Sequence, residues 1–350
     1  METGKKERVL YLDALRVLAS VFVVMLHLSA QKFDGLAVGS ADWTVLNCYN
    51  SLTRWAVPVF VMISGALFLD PARQIRPRAL FGKNLLRIVT AFVFWSGLYA
   101  LVDYWQGKRL RDVAFGFVTG HIHLWFLYMI AGLYLVVPLL RQLTESEKMT
   151  RYFLLLWGLF AVAYPTCRSL LAVFDGYADW MTAVSDKMDL GFVCGFTGYF
   201  VLGRLLCQAD LSRRLRTAVY LLGLGGYAAT VLLTFLCSRR TGIRCDDFYG
   251  PFSGNVLCMA VAVFVFGKYH LAHWKEGIAR QALLRCSACS FGVYLVHFMI
   301  VQQLDLRWQI HVLLFPPLLA VPVLTAFVFL LSLAVSFLLR QIPLVKTYLV

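Results

Sequence analysis

The sequence predicts an all-α, polytopic membrane bundle of about ten transmembrane helices with both termini cytoplasmic, and three observations predict it. Of 350 residues, 60% are hydrophobic and only 15% charged, with a mean hydropathy of +0.71, whereas water-soluble chains run at roughly 45–50% apolar and about 25% charged. Apolar runs of about 20 residues, the length that crosses roughly 30 Å of hydrocarbon, recur along the whole chain. They are continuous, as from Val321 to Leu339, where barrel strands would alternate. Basic residues also sort by side. With Met1 inside, 21 Lys and Arg fall on the inner side, 9 on the outer, and Arg16, Arg54 and Arg168 within or at the ends of spans. That asymmetry obeys the positive-inside rule. It also accounts for the net charge of +14 without nucleic acid, whose binders gather their basic residues on a water-facing patch.

The first run, 9–30, follows Lys5, Lys6 and Arg8 as a signal peptide would. Its length, its Asp13 and Arg16 and the lack of an A-x-A site mark it instead as an uncleaved helix. The second, 45–69, holds Arg54, Pro58 and the small pair Ser64-Gly65, suited to close helix contact. The third spans 81–105. The fourth, 122–140, is opened by His121 and His123 and followed by Trp125 and Tyr128. Windows 152–173, 190–207, 217–237 and 252–269 follow, then 287–305 with Tyr294 and His297 at i, i+3, and last 312–339. The loops are short and no tandem repeat is evident, so residues 1–350 form a single transmembrane domain. Cys194, Cys207 and Cys258 behave as small apolar residues at or inside spans. Cys286 and Cys289 form a C-x-x-C with no second pair nearby, which favours packing over zinc. Cys237 and Cys245 flank an outer loop and can pair only in an oxidising compartment.

Ionisable groups at bilayer depth cost at least about 2.5–3.5 kcal/mol each on insertion scales, so they face the bundle interior and mark candidate sites. The first helix has three: Asp13, Arg16 and His27. Eleven helical steps turn through about 1100°, close to three whole turns, so Arg16 and His27 share a face about 16 Å apart along the axis. Asp13, three residues before Arg16, can pair with it. Position alone equally fits an interfacial ion pair and a packing histidine. Arg54, His121 and His123 reach the same outer depth from two further helices, and Tyr294 and His297 sit nearer mid-membrane as pocket-wall candidates. His270 and His273 lie in an inner loop without the carboxylate or Cys partners of a metal site, and no metal is expected.

The motifs R-x10-H (Arg16, His27), R-x-x-V-P-x-F-x-M-I-S-G (Arg54 to Gly65), H-L-W-F with a following G-L-Y-L-x-x-P-L (His123 to Leu139), G-Y-F-V-L-G-R (Gly198 to Arg204) and S-F-G-V-Y-L-V-H (Ser290 to His297) occur in order. Together they resemble the acyltransferase-3 family of membrane acyltransferases, from helix one to helix nine. The SGNH-type and racemase domains that some members carry are not expected. The resemblance implies transfer of an acyl group, commonly acetyl, from cytoplasmic acyl-coenzyme A as co-substrate to a hydroxyl of a cell-envelope glycan or glycolipid at the bacterial inner membrane. It also implies that Arg16 and His27 are essential. A base and an oxyanion-stabilising group serve such a transfer, and His27 is the natural base. Arg16 lies where the pantetheine arm enters, and Asp13, Arg54, His123, Trp125, Tyr128, Tyr294 and His297 are the candidate substrate-binding residues. Inner basic residues such as Arg73, Arg76, Arg78, Lys83 and Arg87 are placed to meet phosphates, though the positive-inside rule alone explains them. The main alternative is a transporter using the same intramembrane charges as a substrate or proton path.

Overall fold

The computed structural model describes residues 9–174 and 195–350, and among these every regular element is helical. In hydrocarbon the backbone has no water to bond, and a helix satisfies its own N–H and C=O groups. In order, α1 is Leu10–Ala30, α2 Ala41–Thr53 and α3 Ala56–Phe68. Next come α4 (Pro77–Trp105), α5 (Leu110–Thr119), α6 (Trp125–Glu145) and α7 (Glu147–Val173). Then follow α8 (Thr197–Gln208), α9 (Arg213–Thr241), α10 (Gly254–His270), α11 (Ile278–Trp308), α12 (Pro317–Leu339) and α13 (Pro343–Tyr348). Nine helical stretches among the described residues are long and apolar enough to cross a membrane, α2 and α3 together making one of them. They coincide with nine of the ten windows. The remaining window, 190–207, is described only from Gly195 onward, and Cys194 lies outside the described residues, as do Lys5, Lys6 and Arg8.

Several helices run past their apolar windows, because polar end turns can be capped. Ser146 accepts a hydrogen bond from the Met149 N–H at the start of α7, and Ser212 accepts one from the Leu215 N–H at the start of α9. One element, α5, was not foreseen: its charged first turn breaks the apolar pattern. It is tied to α4 by the Ser96 hydroxyl, which donates to the Phe117 carbonyl at 2.6 Å, and to α6 by the Tyr128 hydroxyl on the Val118 carbonyl.

Helix α1 is enclosed by protein, packed against α2, α3, α10, α11 and α12. Leu15, Ala19 and Val24 on it are wholly buried. A polar residue on such a helix meets protein rather than lipid, which is why Asp13 can be 3% exposed at this depth. Large apolar side chains such as Val93, Leu221, Leu224 and Leu330 are exposed on the outer helices, as a lipid-facing surface requires. Small residues set the closest contacts. Gly65 on α3 faces the Phe200 backbone of α8, and Gly203 on α8 faces the Met62 backbone of α3. A Cβ at either glycine would overlap the opposing carbonyl. After α12 the chain turns back over α4, where Thr90 donates to the Tyr348 carbonyl and the Trp95 indole to the Leu349 carbonyl.

This crossing predicts that Gly203→Ala lowers stability by about 1–3 kcal/mol, the usual cost of overpacking a filled interface. Gly225→Ala, where a Cβ meets open space, leaves the melting temperature of detergent-purified protein unchanged.

Candidate active site

A cavity of about 470 Å³ lies among α1, α3, α4, α6 and α11, and its two ends differ in chemistry. Arg16, Asn84, Arg87, Ser287 and Arg340 line one end; His27, His123 and Trp125 line the other. Between them stand Phe60, Phe68, Phe126, Tyr134, Phe291 and Tyr294. The helical arithmetic of the first span is met: Arg16 and His27 open on the same space.

At the arginine end, Arg16 Nη1 lies 3.2 Å from Asp13 Oδ1 and donates to the Ser287 hydroxyl at 3.3 Å. Ser287 Oγ in turn donates to the same Asp13 oxygen at 2.5 Å. Asp13 therefore does not line the cavity; it holds Arg16 from behind and fastens α1 to α11. Arg87 donates to the Val350 carbonyl and sits 5.1 Å from the Phe291 ring centroid. Three guanidiniums thus share one cavity mouth, where a planar, always-charged fork suits phosphate oxygens.

At the histidine end, the His27 ring lies 5.2 Å from that of His297, 5.1 Å from Phe298 and 6.3 Å from His123, centroid to centroid. His123 stacks on Phe298 at 5.2 Å, its backbone carbonyl accepts from the Tyr294 hydroxyl, and both its ring nitrogens are buried with no hydrogen-bond partner among the described residues. His297 is wholly buried behind His27 and is not among the lining residues. The Tyr99 hydroxyl donates to the Leu295 carbonyl and accepts from the Met299 N–H, both at 3.0 Å, so it braces the turn of α11 that carries His297. His121, stacked on Tyr99 at 4.6 Å, is held below the usual histidine range by burial, against the pull of Asp103.

Two other expected residues turn elsewhere. Helices α2 and α3 are interrupted at Arg54 and Trp55, and Arg54 is not among the lining residues: its guanidinium covers the Tyr249 ring at 3.9 Å and donates to Asn50, within electrostatic reach of His27. Tyr128 packs on Phe92 and bonds α5, again outside the cavity. Asn84, Ser287 and Arg340 were not singled out from sequence, although Ser287 stands three residues before the Ser290 that opens a quoted motif, and Tyr134 entered only as the tyrosine of the G-L-Y-L run. Among the free cysteines Cys286 and Cys289 remain unpaired with each other, whereas Cys237 and Cys245 form a disulfide.

A family model described as an acyltransferase domain matches residues 9–340. Searches of curated proteins and of solved structures return no match.

The Asp13 arrangement predicts that Asp13→Leu lowers stability by about 3 kcal/mol, the low end for breaking a buried pair because Arg16 is 27% exposed. Asp13→Asn, which keeps an acceptor for Arg16 and Ser287, loses less. Thermal melts of the purified variants check the order, and equal melting temperatures would contradict it.

Proposed function

Because the chain belongs to this acyltransferase family and is a multi-pass membrane enzyme, we propose that it moves an acyl group, most simply acetyl, from acyl-coenzyme A to a hydroxyl of a cell-envelope glycan or glycolipid. The observation that carries this reading is the two-ended cavity: three arginines at one mouth and His27 at the other, on opposite ends of one helix face. The motifs from Arg54 to Gly65 and from His123 to Leu139 support a narrower likeness, to the O-acetyltransferase of enterobacterial common antigen, and hence a place in the bacterial cytoplasmic membrane.

In this mechanism Arg16, Arg87 and Arg340 hold the phosphates of the donor, and Asn84 offers a neutral partner beside them. The slender pantetheine arm passes between Phe291, Phe126 and Tyr294 and delivers the thioester carbonyl to His27. His27 takes the proton of the acceptor hydroxyl as its oxygen attacks that carbonyl. The tetrahedral intermediate collapses, the carbon–sulfur bond breaks, and the thiolate takes the proton back from the imidazolium, leaving an ester and free coenzyme A. His123 lines the same end and Trp125 offers a face for a sugar ring; both serve the acceptor. The Cys237–Cys245 disulfide lies in the segment whose Arg244 pairs with Asp34, at the His27 end of α1. A disulfide favours an oxidising compartment, which supports placing His27 toward the outer face and the arginines toward the cytoplasm.

The reading predicts that His27→Ala lowers kcat for thiol release from acetyl-coenzyme A by about 10²–10⁴-fold, the range for losing a general base, with donor binding retained. Arg87→Ala and Arg340→Ala should instead raise KM for the donor. Both are read by steady-state thiol release and by coenzyme A binding to folded protein in detergent. Wild-type turnover in His27→Ala would remove the base from the mechanism.

A further inference from the structure

We infer that His297 is a positioning residue for His27: its Nε2 accepts the inward-facing N–H of the His27 imidazole and so leaves the other His27 nitrogen unprotonated toward the cavity. The inference rests on the acyl-transfer reading and assigns its base a tautomer.

The argument starts from His297 Nδ1, which lies 3.1 Å from the Val293 carbonyl oxygen one helical turn back. A carbonyl only accepts, so Nδ1 carries the proton and the neutral ring presents Nε2 as a lone pair. That nitrogen is buried and has no hydrogen-bond partner among the described residues. An acceptor left so is desolvated without compensation, and a wholly buried imidazolium would cost more. The ring needs a donor, and among the rings that surround it few can serve. Phe298 has no polar side-chain atom. Tyr294, 6.2 Å away, has already given its hydroxyl proton to the His123 carbonyl. Two imidazoles remain, His27 at 5.2 Å and His123 at 5.4 Å. His27 is the nearer, and its ring lines the cavity on the other side. His123 lines the cavity itself, where a substrate hydroxyl can meet its own unpartnered nitrogens.

Hydrogen bonds of this kind are long or misaligned before substrate binds and tighten in the complex. The turn carrying His297 is meanwhile fixed on two sides, by the Val293 carbonyl and by the Tyr99 hydroxyl between Leu295 and Met299. The arrangement has the logic of a base oriented by a third group, with a neutral imidazole where a carboxylate is more usual.

The test is nitrogen-15 NMR of histidine-labelled full-length chain in lipid nanodiscs, with His27 assigned by the signal lost in His27→Asn. In the wild type His27 should show one protonated and one unprotonated nitrogen. His297→Phe should average the two forms, and His297→Gln, whose amide oxygen is also an acceptor, should restore them. Thiol release from acetyl-coenzyme A should fall about tenfold or more in kcat for His297→Phe at unchanged KM, and recover in part in His297→Gln. Unchanged His27 signals in His297→Phe, or equal loss in both variants, would overturn the inference. A His27→Ala control separates the two claims: if it turns over normally, the acyl-transfer mechanism fails; if it is inactive while His297→Phe is normal, only the pairing fails.

Discussion

The fold is organised around the cost of holding charge at membrane depth. Asp13 and Arg16 stand about 5 and 10 Å inside the first span by helical rise, where Asp13 is buried and Arg16 is only partly exposed, toward the cavity. They are tolerated because each supplies the other's counter-charge and because Ser287 completes the set with hydrogen bonds to both. A buried pair is a weak source of net stability but a severe penalty when broken. It therefore works as a register mark. It admits one alignment of α1 against α11, and that alignment also brings His27 beside His297. Helices α2, α3, α10 and α12 complete the enclosure that keeps these groups from lipid.

Small residues then decide how near the surrounding helices come. Lipid gives no hydrophobic drive for helices to associate, so close backbone contact has to supply the attraction. Gly65 and Gly203 provide it between α3 and α8, and Gly292, facing Ser336, provides it between α11 and α12. On the other side of α11 the contacts are aromatic and looser, and the cavity opens there between Phe60, Phe126 and Tyr294. Tight packing on one flank and rings on the other make a slot beside α1 without exposing its charges to the bilayer.

Much of this was legible in the sequence, for reasons that also explain what was not. Hydropathy over 20 residues is a long signal, so nine spans are found where expected. The Arg16–His27 relation is internal to one helix, so its geometry follows from 3.6 residues per turn. Residues brought in from different helices carry no such rule. Arg340 sits just past an apolar run, like any positive-inside arginine, and only the return of the chain over α4 sets it beside Arg87. Arg54 reads as a pocket residue by depth, but the break at Arg54 and Trp55 aims it at Tyr249. The same limit applies to Tyr128, whose hydroxyl is taken by the unforeseen helix α5. Depth follows from sequence; azimuth between separate helices does not.

On the proposed reading the separation of the two ends has its own physical logic. The phosphates of an acyl-coenzyme A carry most of its binding handles, while the thioester is neutral and small. Holding the phosphates at Arg16, Arg87 and Arg340 spends binding energy remote from the reacting carbon, where it can fix the thioester against His27. The carbonyl then reacts among the rings of His123, Phe298 and His297, which leave little room for bulk water around His27. Water is the competing nucleophile at every thioester, so a base buried among rings favours a positioned hydroxyl over hydrolysis. The eleven-residue spacing thus lets the phosphates and the thioester of one donor be held at separate ends of a single helix face.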